Sequence, residues 1–367
     1  MTSLKKHILH LAQDEKFIDM GVNVFEKAYP QCNRLILVHK GKINHVTFEN
    51  KNIITKKELV KKSKDSSFWK DVNTVIFHSL FTYNVTIPKG VKVIWLGFGF
   101  DYYDYIFSSQ LDLYGNKTTK LTRKINTKEK IKTLIGLRRH REKKKRKFIE
   151  RVDIFCPVLT TEYHAIKWPE KNRPMLMDWN YGTMEDNWGA KHDVTLSGNN
   201  ILLGNSATHT CNHLEGIDLI VQKNNLYGDL IIPLSYGDKK YAQVVKRYAQ
   251  KRFKGEVLAL ENFMPFDRYM QVISSCSLVI MPHKRQQGVG NIVMLINLGA
   301  KVFLDKDNLL YDYLKEKGFV IFTLEDVLSP SFQVRLTAMQ IAINKKLLYE
   351  TWGERSILAK TKALIEC

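Results

Sequence analysis

Short apolar runs recur along the chain, each followed by a polar or glycine-containing turn and then a stretch with helical spacing. Residues 5–12 read as a first strand, Gln13–Lys16 as a polar turn and Phe17–Ala28 as a helix. Further strands are predicted at Arg34–His39, His45–Phe48, Asn73–His78, Val91–Leu96 and Asp153–Pro157, with a short helix at Glu162–Ile166. The polar span 107–147 reads as helical or mobile. The rhythm restarts after a boundary near 170–195. A strand at Asn199–Gly204 leads to a helix at Asn212–Gln222, a strand at Leu226–Pro233 and a helix at Tyr241–Phe253. A strand at Glu256–Leu260 follows, then a helix at Phe266–Ser275 with Asp267 as its N-cap. Strands at Leu278–Met281 and Val302–Leu304 and a helical tail at Ser331–Lys362 complete the pattern. Strands alternating with helices imply an α/β protein with mainly parallel sheets covered on both faces. The expected division is 1–180, 181–330 and a helical tail, 331–367, able to pack back across a cleft.

At 367 residues the chain exceeds one typical core, in keeping with two domains. An apolar fraction of 44% excludes global disorder. The five cysteines are scattered without a CxxC pair, so neither a zinc site nor a disulfide framework is indicated, and a reducing cytoplasm fits best. The amino-terminal apolar run is too short for a signal peptide, and no apolar run is long enough to span a bilayer.

Charge changes the picture more. Lysine and arginine exceed the acids by 57 − 37 = 20, and the excess peaks at Leu137–Lys147. Arg138, Arg139, Arg141, Lys143, Lys144 and Lys145 form a patch suited to an anionic membrane surface, each basic side chain there contributing on the order of 1 kcal/mol. Tyr102, Tyr103, Tyr105 and Phe107 would either meet the lipid interface or pack in the core. The patch would also suit RNA, but no RNP, KH, zinc-finger or helix-turn-helix signature accompanies it.

Residues 282–299 carry the clearest chemistry. A buried strand runs into a basic loop with Gly288 and Gly290, and an apolar helix follows. Glycines let backbone approach a ligand, and the first N–H groups of a helix point at an anion. Arg285 adds a fork of donors suited to a diphosphate. Asn205 and Ser206 sit at another strand end, where Thr208 or Thr210 could cap the next helix or hold phosphate oxygens. His209 and His213 are four apart, with no third ligand spaced to complete a zinc site. Ligands of doubly wound sheets bind at the carboxyl ends of the strands, which adds the loops 13–16, 78–83, 97–103, 233–237 (with Tyr236) and 261–265.

Two doubly wound domains in tandem are the layout of the GT-B glycosyltransferases. The segment Ile201-Leu-Leu-Gly-Asn-Ser-Ala-Thr-His-Thr-Cys-Asn-His-Leu-Glu-Gly216 resembles the "LVGNSxxxSNNHIEAL" stretch of the TDP-N-acetylfucosamine:lipid II N-acetylfucosaminyltransferase family. Residues 285–299 resemble that family's "RQQGIGTLxLLIxxG". Ile94–Asp104 is similar, more loosely, to its "WxxWGxDxY", with Phe98 where the family has Trp. Gln13-Asp14 and Asp178-Trp-Asn-Tyr-Gly182 extend the likeness over most of the chain.

The resemblance implies a GT-B fold, two Rossmann-like domains facing a central cleft. It implies transfer of 4-acetamido-4,6-dideoxygalactose, or a related deoxysugar, from a dTDP carrier to a saccharide on undecaprenyl diphosphate. The site would be the inner face of the bacterial cytoplasmic membrane, in surface-polysaccharide synthesis. No metal is expected, because helix dipoles and basic residues neutralise the leaving diphosphate. On this reading Asn205, Ser206, Thr208, Tyr236, Arg285, Gly288, Gly290 and Asn291 line the donor site. Gln286 and Gln287 would meet sugar hydroxyls or the acetamido group, and Glu261 and Phe263 the ribose or thymine. Glu215 is either surface or an orienting group. In-line attack needs a base, for which Asp14, His78 and Asp101 are candidates, Asp14 first. Each has a structural alternative: Asp14 and Asp101 as N-caps, His78 as a buried hydrogen-bonded histidine. The other readings are a GT-B transferase with a different nucleotide sugar, and a basic protein binding RNA or a membrane surface.

Overall fold

The computed structural model describes residues 7–125, 135–168, 172–188 and 194–367, with side chains 110, 111 and 135–141 outside the description. Its contacts divide the chain into two compact units. Met1–Ile106, Thr133–Asn187 and Thr351–Cys367 form the first; Phe107–Lys132 and Trp188–Glu350 form the second.

The first unit begins with β1 (Ile8–Ala12), α1 (Ile18–Ala28), β2 (Asn33–Val38), β3 (Lys51–Ile54), α2 (Lys56–Lys62), β4 (Thr74–His78) and β5 (Lys92–Leu96). The chain then lends α3 (Asn116–Ile125) to the second unit. It returns with α4 (Ile135–Ile149), β6 (Ile154–Cys156), α5 (Thr160–Ala165) and β7 (Met175–Leu176). The described strands form a parallel sheet in the order β3-β2-β1-β4-β5-β6-β7. Every residue of β1 and β4 is buried, as expected of parallel strands covered on both faces.

The second unit contains β8 (Asn200–Leu203), α6 (His213–Ile220), β9 (Leu230–Pro233), α7 (Lys239–Arg252), β10 (Val257–Leu260) and α8 (Phe266–Ile273). It continues through β11 (Cys276–Met281), α9 (Val289–Leu298), β12 (Lys301–Leu304), α10 (Leu309–Glu316), β13 (Phe322–Thr323) and α11 (Ala338–Trp352). Its strands are again parallel, ordered β10-β9-β8-β11-β12-β13. Each sheet therefore reverses its winding once, between β1 and β4 and between β8 and β11. Those switch points are where doubly wound sheets open a crevice at their carboxyl ends.

The last helix, α12 (Glu354–Glu366), belongs to the first unit. Its Thr361 hydroxyl accepts the Trp179 indole N–H at 2.8 Å, and Leu364 and Ile365 join a core with Ile8, Phe25 and Ile94. Lys27 on α1 reaches Glu354 at 2.5 Å and Asp186 at 2.6 Å.

Two local expectations fail, the first because side chains compete for backbone groups. The strand expected at His45–Phe48 is a loop. Asp14 accepts the N–H groups of Asn44, His45 and Val46 at 2.7–3.0 Å, and Asp19 accepts those of Thr47 and Phe48 at 2.7 and 3.1 Å. With its donors taken by carboxylates, the segment has none left for a ladder. The pairing moves on to β3. Asp267 does not cap α8; the N-cap is Pro265, and Asp267 sits in the first turn.

Candidate active site

At the switch point of the second unit, β8 ends in Gly204, whose φ of +69° is a left-handed backbone. A Cβ there would lie 2.5 Å from the His213 Nε2. Residues His209–Cys211 make a single 3-10 turn, and α6 starts from Asn212, also left-handed, with no side-chain cap. Neither Thr208 nor Thr210 therefore caps the helix. Thr210 Oγ1 instead donates to Gln287 Oε1 at 2.7 Å and accepts from Arg285 Nε at 3.2 Å. Gln287 Nε2 donates to Asn205 Oδ1 at 3.0 Å and lies 2.8 Å from Cys211 Sγ. Ser206 and Thr208 share a hydrogen bond at 3.1 Å beside them. The loops after β8 and β11 are thus one hydrogen-bonded unit.

That unit sits at the start of α9. Its N-cap is Gly288 at φ +65°, without a side-chain cap. A Cβ on Gly288 would come 2.9 Å from Asn205 Cγ, and one on Gly290 2.6 Å from the Trp188 ring. Uncapped first-turn N–H groups beside a guanidinium favour an anion by both hydrogen bonding and dipole. From behind, Asn308 Nδ2 donates to the carbonyls of His283 and Arg285 at 2.7 and 3.2 Å. It also lies 2.7 Å from the ring nitrogen Nδ1 of buried His283, whose pKa burial lowers to about 3. Asn291 is turned to α8, donating to Tyr269 at 2.9 Å.

On the neighbouring strand ends, Tyr236 after β9 is 76% exposed and Phe263 after β10 is 90% exposed. Both are available to a flat partner. Glu261 is already engaged, by Lys246 and by Gln243 at 2.5 Å. Glu215 accepts from the N–H and hydroxyl of Thr118 at 2.8 and 2.6 Å, which ties α3 to the second unit.

In the first unit the three base candidates have structural partners. Asp101 is buried, with Oδ2 accepting from Leu80 N and the Trp95 indole at 2.8 and 2.7 Å and Oδ1 accepting from Phe98 N at 2.9 Å. Burial raises its pKa against those donors. It clamps the loop after β5 rather than capping a helix. His78 is fully buried between His10 at 2.9 Å and Tyr181 at 2.8 Å, and burial keeps it neutral, well below its usual pKa. Asp14 alone stays partly exposed. Burial pushes its carboxyl up, but the backbone donors of 44–46 outweigh that and hold it below its usual range.

The sequence pattern of the 4-alpha-L-fucosyltransferase family, glycosyl transferase group 56, matches residues 142–348, more than half of the chain. The chain belongs to this family. Solved structures of the same fold extend over nearly the whole enzyme. HepE of Anabaena, determined with UDP and glucose, is 11% identical, covers 98% of this chain and 99% of its own, and has a TM-score of 0.65. Sucrose-phosphate synthase of Thermosynechococcus elongatus is 7% identical, covers 98% of each chain and has a TM-score of 0.64. A glycosyltransferase of Rickettsia africae is 11% identical, covers 99% and 98%, and has a TM-score of 0.59. The fold is GT-B, and the protein is a glycosyltransferase.

All the donor-side residues named above fall inside the span matched by the fucosyltransferase family, whereas Asp14, His78 and Asp101 fall outside it. Among the described residues of the transferase no group of three or more His, Cys, Asp or Glu is arranged to hold a metal ion. His209 and His213 have other partners. His209 stacks on Tyr241 at 4.3 Å and bonds to Asp238 and Thr122, and His213 bonds to the Tyr241 hydroxyl.

The basic helix α4 has a mixed character. Lys143 and Lys144 are exposed, but Lys145 is folded inward onto Asp104 at 3.0 Å and over the Tyr105 ring at 4.5 Å. The side chains of Arg138, Arg139 and Arg141 lie outside the described residues. Tyr102, Tyr103 and Tyr105 are buried core residues, not interface aromatics, and the first two donate to buried Glu162 at 2.5 and 3.0 Å. No described helix is long and apolar enough to cross a membrane.

Asn308, Cys211 and His283 escaped sequence reasoning. Asn308 follows the strand next to β11, so a reading of every strand-end loop in the switch region would have reached it.

Proposed function

We propose that this glycosyltransferase moves 4-acetamido-4,6-dideoxygalactose, or a close deoxysugar, from its dTDP carrier to a polyprenyl-diphosphate-linked saccharide. The observation that carries the donor side is the Asn205–Gln287–Thr210–Arg285 knot beside the uncapped start of α9. In this reading the acceptor oxygen attacks the anomeric carbon as the bond to the diphosphate breaks. The Arg285 guanidinium and the α9 N–H groups take up the charge of the departing dTDP. Gln286 meets the sugar, and Gln287 holds the loops of the cradle together. Tyr236 and Phe263 offer faces for thymine. Ser206 and Thr208 supply hydroxyls to phosphate oxygens. Asp14, the one base candidate at the surface, takes the acceptor proton. Lys143 and Lys144 on α4 hold the anionic inner leaflet that carries the acceptor. Nucleic acid has no part in this reading.

The test is a transfer assay with dTDP-4-acetamido-4,6-dideoxygalactose and a prenyl-diphosphate disaccharide, against UDP-N-acetylglucosamine as the competing donor. Product from the dTDP sugar alone is expected, and equal or exclusive use of the UDP sugar would overturn the donor assignment. With the correct donor, Asp14→Asn is expected to lower kcat by about 100-fold or more if the carboxylate is the base. Unchanged kcat would leave Asp14 as a clasp for residues 44–46 only.

A further inference from the structure

The loops at the switch point of the first unit bring aromatic rings together that the reading above does not use. Phe17 follows the turn after β1, and Phe98 and Phe100 lie in the loop after β5. Phe98 is 6.3 Å from Phe17 and 6.0 Å from Phe100, centroid to centroid, in edge-on contacts. Phe100 is 61% exposed. Gly99, at φ +93°, turns the chain between the two phenylalanines, and the buried Asp101 carboxylate pins the loop through Phe98 N.

Tyr181 backs these rings, 5.0 Å from Phe98 and 6.3 Å from Phe17. Its hydroxyl orientation is fixed by a chain of hydrogen bonds. Asn33 Nδ2 donates to Glu26 and to the Tyr29 carbonyl, both at 2.8 Å, so its Oδ1 faces His10. His10 therefore donates from Nε2 at 3.1 Å and accepts at Nδ1 from His78 Nε2 at 2.9 Å. His78 Nδ1 is left to accept the Tyr181 hydroxyl at 2.8 Å. Burial keeps both histidines neutral, as this order of tautomers requires. His78 thus anchors a ring.

Beside the rings stands Lys16, its ammonium 4.8 Å above the Phe17 ring. Lys16 is exposed, no ion pair to it is found among the described residues, and the covering of its ammonium lowers its pKa against the attraction of neighbouring Glu15. A lysine ammonium held over a ring with no direct ion pair is open to an anion, and an exposed ring such as Phe100, with the half-buried Phe17 and Phe98 beside it, favours the C–H face of a sugar or another apolar surface. We propose that Phe17, Phe98 and Phe100, backed by Tyr181, form an aromatic platform beside Lys16 that takes a saccharide joined to a phosphate group. This deepens the proposed function, on which it rests, by assigning the glycosyl-diphosphate portion of the acceptor to these residues.

The probe is N-acetylglucosaminyl diphosphate with a ten-carbon prenyl tail, titrated by calorimetry into wild type, Phe100→Ala and Lys16→Gln. Both substituted side chains are exposed, so both variants are expected to fold. N-acetylglucosamine 1-phosphate and geranyl diphosphate serve as competitors that separate sugar from lipid, and the dTDP thermal shift is read in parallel. Each variant is expected to weaken the probe about tenfold or more, with competition by the sugar phosphate and an intact dTDP shift. Undiminished binding in both variants, no binding to wild type, or competition by geranyl diphosphate alone would overturn the platform. An intact dTDP shift in that case leaves the donor reading standing. Loss of the dTDP shift with variant-sensitive probe binding would instead sink the donor reading and keep the platform.

Discussion

At the scale of single residues, Thr210 and Gln287 tie the two donor-side loops together. Arg285, Gln287 and Asn205 were singled out by the strand–loop–helix pattern, and the structure joins Gln287 to Asn205 directly and to Arg285 through Thr210. Asp14, His78 and Asp101 were singled out by the same logic, yet each has partners 21 to 103 residues away in sequence, beyond any local pattern, although Asp101 also holds Trp95 and Phe98 close by in sequence. Burial of these groups has a consequence for pH. His10, His213 and His283 are lowered by burial to about 4, 3 and 3, and His78 well below 6.5. The unfolded chain binds a proton at each of them as pH falls below about 6.5, and the native chain does not. Their contribution is therefore complete above about pH 6.5 and is lost toward pH 4, at about 1.4 kcal/mol per pH unit for each group. Glu162, raised by burial to about 7, acts in the opposite sense. Its contribution is present below about 4.5 and lost as pH rises through 7. Asp101, Asp305 and Asp312 are raised in the same sense but less, so the four large histidine shifts dominate and the melting temperature is expected to fall steadily from pH 6.5 to 4.5. A flat or rising profile, followed by differential scanning calorimetry, would show that these histidines are not buried neutral.

At the scale of elements, the alternation of apolar runs and helical spacing located most of the longer strands and helices to within a few residues, but it left out α2 and α10 and ran α11 and α12 together. Other exceptions have physical causes. Residues 44–48 were taken from the sheet by Asp14 and Asp19. β7 and β13 are two-residue strands at sheet edges, too short to leave a pattern. Thr208 and Thr210 looked like helix caps because the N-cap rule is local. They serve a cross-loop network because Asn212 begins α6 in a left-handed conformation. The same backbone logic makes the start of α9 vulnerable. Gly288→Ala puts a Cβ into Asn205 and a non-glycine residue at φ +65°, at a cost of about 1–2 kcal/mol. The variant is expected to remain folded, to melt several degrees lower and to lose its response to dTDP. A retained dTDP response would remove the loops' close approach from the donor site.

At the scale of the whole molecule, length and rhythm indicated two doubly wound domains, and the GT-B fold agrees. The assignment of 107–132 to the second unit was not legible. Helix α3 is drawn to the second unit by Glu215 and Asn212, and α12 to the first by Trp179 and Lys27. These are single long-range bonds with no periodic signature. Net charge, +20 over the chain, suits a protein working near an anionic surface or ligand. The account stands or falls on the donor site. Its most direct test is thermal unfolding of wild type and Arg285→Ala in buffer, dTDP, UDP and GDP. A ligand at one hundred times its Kd adds about 2.7 kcal/mol to stability, or a few degrees. A rise with dTDP above that with UDP or GDP, abolished in Arg285→Ala, is the expected result. No rise with any nucleotide, or an equal rise in the variant, would contradict a diphosphate held by Arg285 at the start of α9.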